Sequence, residues 1–298
     1  MHYLITGGTG LIGSKIGAQL LSAGHHVTVL SRSKSKVEKQ CARGTKAIVS
    51  LVEIADTEKV DCIINLAGAP IADKRWSDSR KRILEESRIN ITNDLINWIH
   101  SRKDKPDALI SGSAVGWYGS RGDEILTEKA DYSDDYAHNL CHQWEQAAME
   151  AKSMGVRVCL VRTGLVLTKK GGFLQRMTLP FKLCLGAAIG NGEQFMPWIH
   201  INDISELFIF LSQKQHLSGV FNGSAPNPVN NNTFTYTLAD VLNRPAIFRA
   251  PASFIRLALG EMSTLLLEGQ RVVPAKAMTA GFEFQYTELK PSLINIYH

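Results

Sequence analysis

The chain has 298 residues, with 33 Lys+Arg against 28 Asp+Glu, a formal net charge of +5 and 44% hydrophobic residues. That length carries a sizeable core, in one large or two interlocked domains, and the composition excludes disordered, collagen-like and low-complexity chains. No apolar run approaches the roughly 20 residues that cross a bilayer, and the basic residues are scattered apart from Lys74, Arg75, Arg80, Lys81 and Arg82, too sparse a stripe for nucleic acid.

In chain order, Tyr3–Thr6 is a short apolar strand, followed by GGTGLIG (Gly7–Gly13) and a helix to about Ser22 with Leu11, Ile12, Ile16, Leu20 and Leu21 near one face. Gly24 ends that helix, and HVTVL (His26–Leu30) is the second strand. Asp61–Leu66 makes another strand, Trp76 to about Arg102 a long amphipathic helix, Asp107–Ser113 a strand, Tyr136–Met154 a helix and Val156–Arg162 a strand. Strands alternating with helices predict a parallel sheet covered on both faces, an α/β Rossmann-type doubly wound fold. Beyond Thr163 the rhythm breaks at Gly171, Gly172, Gly186, Gly190 and Gly192; Asn227–Asn232 reads as a polar loop, and Ser253 to the end as largely helical. The expected organisation is a core domain over 1–165 with a returning segment near 198–222, Val220–Asn222 re-entering the sheet. A smaller α+β substrate-side and C-terminal domain over 166–298 interleaves with it.

Five cysteines (Cys41, Cys62, Cys141, Cys159, Cys184) form no CxxC pair, so neither a disulfide framework nor a zinc or other metal site is expected. No charged stretch followed by a long apolar one precedes the first motif, and a cytoplasmic chain is expected.

Gly7, Gly10 and Gly13 lie between a strand and a helix at the head of a βαβ unit. Such glycines allow a tight turn, admit a pyrophosphate to backbone N–H groups and seat the helix on the strand, while the helix N-terminus adds positive charge. The second strand ends Leu30, Ser31, Arg32, Ser33, Lys34, without the acid that holds an NAD ribose. Arg32 can pair with a 2′-phosphate, with Ser31 and Lys34 as further donors, and the expected cofactor is NADP.

GGTGLIG, NLAG (Asn65–Gly68), SGSAVGWYG (Ser111–Gly119), RTGLVL (Arg162–Leu167) and WIHINDI (Trp198–Ile204) together resemble an extended short-chain dehydrogenase/reductase. LCHQWE (Leu140–Glu145), PFKLCLG (Pro180–Gly186) and the tail LALGEMSTLLLEGQRVVPAKAMTAGFEF (Leu257–Phe284) narrow the resemblance to the YfcH-type, epimerase-like family of atypical members with its own C-terminal domain. The resemblance implies a Rossmann sheet, an NADP-type cofactor and a small C-terminal domain closing over it. It implies cofactor contacts at Gly7, Thr9, Gly10, Leu11, Ile12, Gly13, Ser31, Arg32, Leu66, Ala67, Gly68 and Arg88. Extended members often pair through the helices around 80–100 and 136–154, so a homodimer is a further expectation. Relatives carry the labels epimerase and cell-division inhibitor.

In the wider superfamily a Ser, a Tyr and a Lys four residues later do the chemistry, the Lys lowering the Tyr pKa from about 10 toward neutrality. Ser113 matches the serine. Cys141 matches the lysine, which places Ala137 where the tyrosine belongs, with Tyr136 one residue or about 100° off on a helix. Arg88 stands for the usual asparagine. The candidate catalytic residues are therefore Ser113, Tyr118, Tyr136 and Cys141. Tyr118 is otherwise a loop aromatic closing the pocket, and Cys141 a small residue beside the nicotinamide ribose, since a nucleophilic thiol needs a lowered pKa. Two functions follow: an NADP-dependent oxidoreductase or epimerase-like protein acting on a small polar or nucleotide-linked molecule, or an NADP(H)-binding sensor, scaffold or cell-division-related regulator without hydride chemistry.

Overall fold

In the computed structural model, which describes residues 1–298, seven strands form one sheet. They are β1 (His2–Thr6), β2 (His26–Leu30), β3 (Lys46–Ile48), β4 (Cys62–Asn65), β5 (Ala108–Ala114), β6 (Arg157–Thr163) and β7 (Gly219–Gly223). Their spatial order is β7-β6-β5-β4-β1-β2-β3, every pairing parallel. The order reverses between β1 and β4, and a doubly wound sheet opens a crevice beyond the carboxyl ends of its strands at that reversal.

Both sheet faces are buried, which is why the strands carry runs of consecutive apolar residues rather than an alternating pattern. Tyr3, Ile5, Ile64, Ile110 and Val161 face α1 (Leu11–Ser22) and α6 (Ile201–Gln213). Leu4, Ile63, Leu109 and Leu160 face the other way, against Leu95, Ile96 and Ile99 of α3 (Asp78–Ser101) and Ala148 of α4 (Tyr136–Met149). Ser77 starts α3, its hydroxyl accepting from Arg80 N–H, and Asp135 starts α4 by accepting from His138 N–H at 2.6 Å. The helix expected to run to Met154 tightens after Met149 into a 3-10 turn that Gly155 ends at φ +80°. Helix α2 (Lys34–Gln40) connects β2 to β3.

The second lobe has its own core, in which Phe181 of α5 (Gly172–Lys182) and Phe234 and Leu238 of α7 (Asn231–Leu242) pack with Trp198 and Leu293. Short strand pairs stitch it to the first lobe: Leu165–Leu167 with Trp198–His200, and Ile125–Leu126 with Arg271–Val272. The stretch expected to be a polar loop is ordered. Val229–Asn230 pairs with Phe195–Met196, and Asn230 caps α7 through Thr233 N–H. Asn230 is a capping residue, which composition alone reads as loop. No helix is long and apolar enough to cross a membrane.

Candidate active site

The β1–α1 turn is built around its glycines. Gly7 sits at φ +67°, and a Cβ there would overlap the Leu66 carbonyl; a Cβ on Gly13 would lie 2.5 Å from the Gly7 oxygen. The turn therefore tolerates no side chain at either position, and backbone stands open to whatever lies above it. Helix α1 begins at Gly10 with no side-chain cap and no acid in its first turn. Its N–H groups are left for an anion, and the site fits a dinucleotide pyrophosphate. On the β4 side, Thr6 Oγ1 donates to Asn65 Oδ1 at 2.6 Å and accepts from Leu66 and Ala67 N–H, while Asn65 Nδ2 donates to Thr92 and Ser111. This buried network pins the carboxyl ends of β1, β4 and β5 to α3.

A cleft of about 710 Å3 runs from this turn to the second lobe. Gly7, Gly10, Leu11, Ile12, Gly13, Leu66, Gly68 and Cys141 lie on its wall, as do Ala114 and Ala137. Thr9, Ala67 and Arg88 are not on this wall. Arg88 is clamped by bonds from its guanidinium to the Leu84 and Ala69 carbonyls, each 3.0 Å, and packs beneath Gly68 and over the Trp144 ring. Burial pulls its pKa down.

Ser31 and Arg32 lie at the end of β2. Arg32 is exposed and makes no ion pair, whereas Lys34 is held by Glu53 at 2.6 Å. Lys34, and with it the Val49 and Ser50 N–H groups, brings the Glu53 carboxyl down to about 2. Glu53 is thus a capping and pairing residue, and Asp56 pairs with Arg102 at 3.2 Å.

Of the four candidate catalytic side chains only Ser113 and Cys141 come together. The Ser113 hydroxyl donates to Glu145 Oε1 at 2.7 Å, and Glu145 is bound by both Nε and Nη2 of Arg162 at 2.8 and 2.9 Å. Arg162 lies over the Trp117 ring at 3.4 Å, and its Nη1 is buried without a partner. Tyr118 is fully buried; its hydroxyl donates to Asn222 Oδ1 at 2.7 Å, and burial raises its pKa. It is a structural post between β7 and the Ile125–Leu126 strand, off the cleft wall. The Tyr136 hydroxyl points to the Lys81 carbonyl at 3.3 Å, and burial pushes it up to about 12. Cys141 is on the wall, but burial and the Glu145 charge push its thiol up to about 12, against weaker opposing pulls from Ala114 N–H, Arg88 and Ser113. It lies in the second turn of α4, beyond the first turn where exposed N–H groups would favour a thiolate, and is a protonated thiol at neutral pH.

The ionisable groups that do face the cleft are others: Asp73, Asp135, Arg176 and Glu268. Arg176 of α5 grips the Asp73 carboxylate and the Ala72 carbonyl, closing the loop after β4 onto the second lobe. Glu268 is raised by burial and then by the nearby charge of Asp135. Sequence spacing gave no signal for these residues, because they come from four separate segments. Glu145 and Arg162 are the single acidic and basic residues of LCHQWE and RTGLVL, a signal that could have found them. Gln270 donates to the Gly119 carbonyl at 3.1 Å on the cleft wall, while Arg271 lies over Phe195.

Residues 3–222 match the NAD dependent epimerase/dehydratase family. The chain belongs to that family. Residues 250–296 match a domain of unknown function, DUF1731. The epimerase family protein YfhF of Bacillus subtilis is 38% identical over 298 residues, 98% of this chain and 97% of its own. An epimerase family protein of Staphylococcus aureus is 37% identical over 295 residues, 98% of this chain and 97% of its own. Among solved structures, the human epimerase family protein SDR39U1 with NADPH superposes at a TM-score of 0.88, with 31% identity and 99% of both chains covered. A nucleoside-diphosphate sugar epimerase from Corynebacterium glutamicum gives 0.80 and 30%, over 99% of this chain and 58% of its own. UDP-galactose 4-epimerase, at 16% identity and 0.77, shares the fold.

Proposed function

We propose that this epimerase-family chain is an NADP-dependent oxidoreductase or epimerase-like enzyme acting on a small polar or nucleotide-linked molecule in the cleft. The observation that carries the cofactor choice is Arg32, exposed and without an ion pair at the end of β2, where an NAD site has an acid. The relative solved with NADPH, 31% identical along its whole length, supports the same reading. In it, the glycine turn and the start of α1 hold the pyrophosphate, Ser31 and Arg32 hold the 2′-phosphate, and Arg88 fixes the backbone after β4. When bound, the nicotinamide supplies or takes a hydride. Ser113 contributes position rather than acid or base, because its hydroxyl is held in a hydrogen bond to the Arg162-paired Glu145. The test is a fluorescence titration with NADPH and NADH of the wild type and Arg32→Ala. Tight NADPH binding that weakens at least tenfold in the variant is expected; equal binding of the two cofactors refutes it.

A second reading is a cofactor-binding sensor or scaffold without hydride chemistry. It is favoured by the outward or buried hydroxyls of Tyr118 and Tyr136 and the protonated Cys141. Stoichiometric NADPH binding without oxidation across a panel of aldehydes, ketones and nucleotide sugars supports it over the first.

A further inference from the structure

Helix α8 (Ala252–Leu259) buries none of its residues. Phe254 and Leu257 are 63% and 78% exposed, and beside them Ile247 and Phe248 are 79% and 49% exposed. Phe248–Ala250 pairs with Ala187–Ile189, Gly186 abuts the Pro245 carbonyl and Gly190 lies beside Ala252. The exposed Leu183 and Leu185 at the end of α5 therefore join the same surface. A globular chain scatters exposed apolar side chains singly; a patch gathered from two segments marks a docking surface.

The charge on these segments is of one sign. Residues 179–187 and 243–258 contain Lys182, Arg244, Arg249 and Arg256 and no Asp or Glu. All four are exposed and none forms an ion pair. Arg249 donates to the Gly190 carbonyl and Asn232, and Arg244 to the Asn243 carbonyl. Aliphatic and aromatic side chains set among unpaired cations, on the outer side of a short helix that packs inward only through the half-buried Ala252, Ile255 and Leu259, are the composition of an element that lies in the headgroup region of an anionic bilayer. A protein partner would need carboxylates set against four separate cations as well as an apolar face; a leaflet supplies both as a continuum. The surface lies beside the cleft, since Ile189 and Leu266 of the adjoining segments are on the cleft wall.

We infer that this face docks the chain peripherally on membranes rich in anionic lipid, with α8 lying in the plane of the surface. The sequence reading expected no membrane partner because it asked only whether a segment spans the bilayer, which is a different requirement. The inference does not depend on the cofactor reading.

The test is co-sedimentation of the full chain with vesicles of phosphatidylcholine mixed with phosphatidylserine, against vesicles of phosphatidylcholine alone. Binding to the mixed vesicles is expected, weakening with salt. Because no α8 side chain is buried, Phe254→Glu and Leu257→Glu leave the fold intact, which circular dichroism checks, and each is expected to lower binding at least tenfold. Arg256→Gln is expected to lower it about fivefold, one cation's share at an anionic surface. Absence of binding to the mixed vesicles, or equal binding by the Phe254→Glu variant, overturns the inference. So does a concentration-dependent doubling of mass abolished by Phe254→Glu, which assigns the face to a second copy of the chain.

Discussion

Replacing Glu145 by leucine leaves Arg162 charged, buried and without its counter-ion. The side chains of the pair are 4% and 8% exposed, so little solvent can take the carboxylate's place. Three hydrogen bonds go with it, two from Arg162 and one from Ser113. Breaking a buried pair from one side costs about 3–5 kcal/mol. The lower half of that range is expected, because the Trp117 ring still faces the guanidinium. At roughly 2–4 °C per kcal/mol for a chain of this size, the melting temperature should fall by about 6–16 °C. Removing the stranded charge as well, in Glu145→Leu/Arg162→Met, should recover most of the loss, since an apolar pair of similar volume avoids desolvating either ion. Thermal melts followed by tryptophan fluorescence, with the single and double variants side by side, measure both quantities. A loss below about 1 kcal/mol for Glu145→Leu, or a double variant no better than the single, refutes the view that these charges need each other.

Gly13→Ala places a Cβ 2.5 Å from the Gly7 oxygen, so it should displace the α1 start and abolish cofactor binding, whereas Gly10→Ala, whose Cβ meets that oxygen at 3.1 Å, should fold normally; isothermal titration separates the two. Burial holds His200 at about 4, below its ordinary 6.5. The unfolded chain therefore takes up this proton first, and its contribution is complete above about pH 6.5 and lost as pH falls toward 4, by up to about 3 kcal/mol. His200→Asn keeps an acceptor for Asn202 N–H at the start of α6 and should flatten urea-derived stability across that window; an unchanged slope contradicts the assignment. Iodoacetamide at neutral pH should label the exposed Cys184 well before the buried Cys62, Cys141 and Cys159, as peptide mass spectrometry would show. Cys184 also sits at φ +59° after α5, so Cys184→Gly should stabilise the protein by about 0.5–1 kcal/mol in denaturant titrations.

The sheet was legible because parallel strands buried on both faces leave continuous apolar runs, such as Cys62–Ile64 and Val158–Val161, and because glycines mark the β1–α1 turn. Strand β3 was not legible: three residues, one of them buried, carry no period. The glycine-turn side of the cleft could be read from local motifs, since a βαβ unit places its residues close together in the chain. The second-lobe side could not. Asp73, Asp135, Arg176 and Glu268 meet only after the second lobe folds across the first, and no spacing in the chain encodes that meeting. Tyr118 misled for a related reason. An aromatic after the β5 carboxyl end can point into the crevice or under it, and the buried Asn222, over a hundred residues later, decides the direction.

Strand β7 has a consequence for how the molecule is made. The chain leaves the sheet at Thr163, builds part of the second lobe and returns at Gly219 to pair with β6. Until residue 223 has emerged from the ribosome, β6 is an open edge of unpaired backbone amides and carbonyls. A fragment ending at residue 165 keeps that edge permanently and should aggregate rather than fold as a free cofactor-binding unit. The long-range pairing also raises contact order, so refolding should be slow for the protein's size, with both lobes gained in one step.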